Sequence, residues 1–105
     1  MRQRARTDGN HSEIVEALRR AGCTVLHLHQ VGGGCPDVLA GIDGRNLLIE
    51  IKDGSKPPSR RALTADETTF HAAWRGQIAV VTTVAEALEL ALDRQNRAFT
   101  AQKDG

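Results

Sequence analysis

The sequence predicts an α/β (α+β) domain, a central mixed sheet flanked by helices, with elements in the order αβββαβα. Three observations carry this. Asp43-Gly44 separates two apolar runs, 36–42 and 47–52. Such a pair signals a tight hairpin, because a type I′ turn needs positive φ at both central positions. Capping residues and apolar spacing mark helices at 11–21, 64–75 and 84–95. A further apolar strand at 77–83 follows the second helix, so the chain crosses over between the third and fourth strands, which favours a mixed sheet with helices on both faces.

Taken in order, residues 1–9 read as a mobile basic tail carrying Arg2, Arg4 and Arg6. Asn10 is a good N-cap with Glu13 three residues on, so a helix should start at 11 and stop at Gly22. Its apolar face is Ile14, Ala17, Leu18 and Ala21. CTVLHLH at 23–29 reads as a strand, 30–35 as a glycine-rich loop, and 36–52 as the hairpin. Pro57-Pro58 stiffens a polar loop over 53–62. Thr64 and Glu67 form a capping box for the second helix. QIAVVTT reads as a buried strand, and the helix at 84–95 sets Val84, Leu88 and Ala91 on one face. Residues 96–105 look frayed, which leaves a single domain at 10–95 with no internal repeat.

A chain of 105 residues can bury a modest core, and offers no room for a separate recognition domain, so a long substrate needs a second copy. The net charge of +1 announces no partner, but its distribution does. The arginines of the first residues and Lys56, Arg60 and Arg61 after the hairpin give one basic side suited to phosphates, while Glu86, Glu89 and Asp93 make the last helix acidic. Two cysteines are too few for a disulfide scaffold and suggest a reducing compartment. No apolar run approaches the roughly 18 residues of a membrane span, so a cytoplasmic location is expected, in a bacterium or a phage-infected host.

The chemistry concentrates on the hairpin. With a two-residue turn, Ile42 pairs with Arg45 and Asp37 falls opposite Glu50; with a four-residue loop, Asp37 falls opposite Lys52. Both registers put Asp37, Glu50 and Lys52 on one face, since side chains alternate with a period of two. Facing carboxylates repel, a cost that a bound cation removes. The strands are otherwise almost wholly apolar, as in strands covered on both sides, and carboxylates so placed must be paired, protonated or metal-bound.

Pro36-Asp37, a short hairpin, then Glu50-Ile51-Lys52 resembles the signature of the PD-(D/E)xK nuclease superfamily. Together with NHSEIVEALRRAG, GGGCPDVLAG, LLIEIKDG and LTADETTFHAAWRGQIAVVTTVAEAL, which span residues 10–92, the chain is similar to small VRR-NUC proteins of phages and bacteria, related to Holliday-junction resolvases. The resemblance implies a restriction-endonuclease-like core and a Mg2+- or Mn2+-dependent endodeoxyribonuclease, structure-selective on branched DNA and acting as a homodimer. It implies that Asp37 and Glu50 bind the metal with the backbone carbonyl of Ile51 as third ligand, and that Lys52 orients the water or stabilises the developing charge. Family members carry a glutamate on the first helix that completes the site; Glu13 matches it, and is equally explained as a capping-box residue. Competing readings are a less selective or nicking nuclease of a phage or bacterial complex, and a catalytically silent nucleic-acid-binding module. The intact Asp37, Glu50 and Lys52 speak against the last.

Other residues carry weaker signals. Lys56, Arg60 and Arg61 are expected to track DNA phosphates. Gly33 and Gly34 either cradle a phosphate or give a plain flexible entry to the second strand; no Gly-Lys-Ser/Thr follows, so this is not a P-loop. Cys23, His27, His29 and Cys35 match no standard zinc spacing, and alternation puts the first three on one face of a lone strand, so no zinc site is expected. His71 reads as a packing residue, and Trp74 as a core or dimer anchor.

Overall fold

The computed structural model describes residues 9–93; the two terminal tails, including Arg2, Arg4 and Arg6, lie outside the described residues. The elements are α1 (His11–Arg20), β1 (Thr24–His27), β2 (Val38–Ile42), β3 (Arg45–Ile51), a 3-10 turn (Pro58–Arg60), α2 (Ala65–Ala73), β4 (Gln77–Val81) and α3 (Val84–Leu92). The sheet runs β1-β2-β3-β4, antiparallel except for the parallel β3–β4 pair that α2 bridges. This is the mixed sheet flanked by helices that the sequence predicts.

The turn at Asp43-Gly44 has two residues, with φ of 52° and 76°, and Ile42 pairs with Arg45. Alternation then sorts the hairpin. Val38, Ala40, Leu47, Ile49 and Ile51 face α1 and α3 and form the core with Ile14, Val15, Leu18, Val81, Ala87 and Ala91. Each buried Ile, Leu or Val is worth about 1.5–3 kcal/mol, so most of the stability resides on this face, with Leu48 the buried apolar residue of β3 on the other. Asp37, Glu50 and Lys52 belong to the other one. At the turn end, the buried Arg45 donates from Nη2 to the carbonyl of Ala91, tying β3 to α3.

Three local expectations need correction. Asn10 precedes α1 but makes no side-chain cap; its amide instead donates to the carbonyls of Lys52 (3.1 Å) and Thr82 (2.9 Å), stitching α1 to the ends of β3 and β4. On α3 the fully buried positions are Ala87 and Ala91, with Val84 and Leu90 partly buried. Trp74 is 46% exposed and stacks on Phe70 with centroids 5.5 Å apart, so it is no core anchor.

Candidate active site

β1 and β3 run alike, each antiparallel to β2, and β4 runs parallel to β3. The C-terminal ends of three strands therefore meet the N-terminal end of β2 at one edge, where open sheets commonly bind ligands. Val38 pairs with Ile49, so the next step outward sets Asp37 opposite Glu50, as the two-residue register requires. Asp37 is anchored twice: its carbonyl accepts the Leu28 amide (2.7 Å), and its Oδ2 accepts the amide of Ile51 (2.7 Å). That second bond fixes the carboxylate beside the strand that carries Glu50.

Lys52 reaches back over this pair. Its Nζ lies 3.5 Å from Glu50 Oε2 and 2.9 Å from Glu67 Oε1. Glu67 comes from the first turn of α2, where it closes the capping box: Oε1 accepts the Thr64 amide (2.9 Å), and Thr64 Oγ1 accepts the amide of Glu67 (3.2 Å). The cap that starts the crossover helix thus aims a third carboxylate at the hairpin. Gly34 lets α2 come so close; a Cβ there would sit 2.2 Å from the Asp66 carbonyl oxygen. These groups line an open cavity of about 260 Å3, which His29 and Cys35 also border.

Electrostatics set the character of the cavity. Glu50 is only 4% exposed. Burial, then the charges of Asp37 and Glu67, push its pKa up to about 8 against the partial relief from Lys52. Its Oε1 is buried with no hydrogen-bond partner. For Lys52, burial pulls the pKa down, but the hydrogen bond to Glu67 and the charge of Glu50 raise it above the ordinary lysine value. Glu67 feels burial upward, yet the Thr64 amide and Lys52 hold its pKa below the usual carboxylate range. Burial followed by Glu50 and Asp37 raises the Cys35 thiol. One buried, underbonded carboxyl beside an anchored carboxylate is a cavity short of positive charge. The oxygen donors of Asp37, Glu50 and the Ile51 carbonyl fit a hard divalent ion.

The hairpin thus brings together Asp37, Glu50, Ile51 and Lys52, and Gly34 joins them. Glu13 does not line the cavity; it stands exposed on α1, whose inward positions are His11, Ile14, Val15 and Leu18. Gly33 is exposed in the loop and lines nothing here. Lys56 and Arg60 are exposed and Arg61 half-buried, on the loop that leads from Lys52 to α2, where Arg61 Nε donates to the Lys56 carbonyl (2.7 Å). Sequence reasoning missed Glu67, whose capping role is legible but whose reach to Lys52 is not. It also missed His29, which borders the cavity from beyond the end of β1.

No curated protein and no solved structure matches the chain. The family model of the archaeal Holliday junction resolvase (Hjc) matches residues 2–67, from ahead of α1 through the hairpin to Glu67. That span is more than half of the chain and holds Asp37, Glu50, Lys52 and Glu67 alike. The chain therefore belongs to the archaeal Holliday junction resolvase family.

Proposed function

We propose that the protein is a Mg2+- or Mn2+-dependent endodeoxyribonuclease that cuts branched DNA as a homodimer. Membership of a resolvase family supports nuclease action on DNA junctions. The observation that carries the catalytic reading is Glu50, buried with an unpartnered Oε1 beside Asp37 and Lys52. Asp37, Glu50 and the Ile51 carbonyl would hold the metal. A bound divalent ion supplies the positive charge that offsets the crowded phosphate and lowers the pKa of an attacking water.

The chain's own groups do the rest. Asp37 is held in place by the Ile51 amide and needs no rearrangement to act as a ligand. Lys52 stays cationic because Glu67 grips it, so its ammonium can orient the water or meet charge building on the phosphate. Glu67 positions Lys52 through that contact. Lys56, Arg60 and Arg61 extend the positive side along the DNA backbone, while Gly34, packed against the first turn of α2, serves to bring Glu67 to the cavity.

A dimer accounts for two cuts on opposed strands of a four-way junction. Its support here is the stacked Phe70–Trp74 pair at the surface and the exposed Leu26 and Val80. The likeness of the motifs to VRR-NUC proteins supports work in phage or bacterial recombination, replication or repair in the cytoplasm. No helix among the described residues is long and apolar enough to cross a membrane.

The test is incubation with four-way, flap, duplex and single-stranded DNA in Mg2+, Mn2+ or EDTA. Cleavage of the four-way junction in either metal and none in EDTA is expected. Equal cutting of every substrate would favour the less selective or nicking nuclease, and binding without cutting under all metals would leave the silent module.

A further inference from the structure

Beside the carboxylate cavity, and sharing His29 with its border, stands one cluster of potential ligands. His11 lies in the first turn of α1, His27 closes β1, and His29 follows two residues later. His27 shares the face of Val25, which packs against the core beside α1, so alternation turns it toward His11. The three rings meet with centroids 5.6, 5.7 and 5.8 Å apart, and one nitrogen from each lies within 4.8 Å of the other two.

The geometry points to a second cation site, formed by His11, His27 and His29, for a borderline divalent ion of the Zn2+ class. Imidazole nitrogens suit Zn2+, Co2+ or Ni2+, whereas carboxylate and carbonyl oxygens suit Mg2+ or Mn2+, so the chain offers two donor sets of different softness a short distance apart. Tetrahedral Zn2+ with bonds near 2.0–2.1 Å needs nitrogens roughly 3.4 Å apart. The present nitrogens lie within 4.8 Å of one another, so binding requires the rings to draw closer together.

The plain alternative is aromatic packing, and the stacking of His11 on His27 at 25° agrees with it. Packing alone leaves one feature without a purpose: His29 Nδ1 is buried and has no hydrogen-bond partner. Coordination supplies that partner. The nearest sulfur candidates do not join. Cys23 is sealed in the core, and Cys35 is not among the side chains whose ligand atoms come within 4.8 Å of one another. Three protein ligands leave a fourth position for water or an anion, the pattern of open rather than closed zinc sites. An ion here would bind the first turn of α1, where Asn10 holds β3 and β4, to the end of β1.

The site is independent of the nuclease reading, and its test keeps the two apart. The full-length Glu50→Gln protein, stripped of metal, is titrated with Co2+ and then Zn2+, which isolates the histidines from the carboxylate cavity. One equivalent of Co2+ should bind with the intense visible spectrum of tetrahedral coordination, and Zn2+ should displace it and raise Tm. Adding His27→Ala, at an exposed position that does not depend on His11 remaining folded, should weaken affinity at least about 100-fold, as should His29→Ala. A weak octahedral spectrum, no binding in the Glu50→Gln protein, or affinity that survives both histidine substitutions would overturn the site.

Discussion

Glu50→Gln tests the electrostatics of the cavity without asking anything of DNA. The buried carboxyl is lifted from 4.5 to about 8 in the folded chain, so folding favours its protonated form. The contribution is fully present below about pH 4.5 and is lost as pH rises toward 8, the opposite of a salt-bridged carboxylate. At about 1.36 kcal/mol per tenfold change in proton affinity, the full span is on the order of 5 kcal/mol. Glutamine keeps the shape and removes the charge, so it should flatten this dependence. At pH 8.5 in EDTA the variant should melt above the wild type; even half of the span is worth about 10 °C or more in a domain of this size. At pH 5 the two should nearly coincide. Mg2+ at pH 8.5 should close the gap by stabilising only the wild type, since a ligand that binds the folded chain shifts its apparent stability. Thermal melts at the two pH values, with and without Mg2+, are sufficient. Equal Tm at both pH values in EDTA would refute the raised carboxyl, and with it the claim that the cavity is short of positive charge.

Asp37 should behave differently, because its carboxylate holds the Ile51 amide: Asp37→Asn should abolish cleavage with the fold intact, while Asp37→Ala should also lose about 1–3 kcal/mol by orphaning that amide, read by denaturant melts. Gly34→Ala drives a Cβ against the Asp66 carbonyl at a position with φ of 84°, so it should push α2 outward and cut activity severely; an unchanged cleavage rate would show that Glu67 is dispensable. Neutralising Lys56, Arg60 and Arg61 together should flatten the salt dependence of DNA binding by about one log-log unit per lost phosphate contact, and an unaltered slope would turn that loop away from the substrate. Sedimentation at micromolar concentration should give twice the 11.4 kDa chain mass, with Trp74→Ala returning it toward the monomer; a wild-type monomer that cuts junctions symmetrically would confine dimerisation to DNA.

The hairpin was legible because its information is local. Asp43-Gly44 dictates the turn, the turn dictates the register, and the register sets Asp37 against Glu50. The capping box at Thr64 was legible for the same reason. Asn10 misled, since a cap-forming residue was free to spend its amide on two carbonyls 42 and 72 positions away. Glu67 hid behind its own local role: the oxygen that closes the cap also receives Lys52. The histidine cluster was out of reach because its third member arrives on α1, sixteen residues before His27, and no spacing rule joins a helix start to a strand end. Buried positions on α3 were blurred because alanine at 87 and 91 packs closer than leucine at 88.

The helix that crosses from β3 to β4 contributes no residue to the buried core. It nevertheless delivers the glutamate that steadies Lys52, and its first turn lies close against Gly34. Segments with few buried contacts open at lower free energy than the body they sit on. The protein is thus expected to have two thresholds: a sheet that persists with α1 and α3, and a proposed catalytic arrangement that holds only while α2 is docked. Mild warming or dilute denaturant should silence the protein while most of its secondary structure survives, and whatever presses on α2, a DNA arm or a second subunit at Trp74, is in a position to set how much of the population is armed.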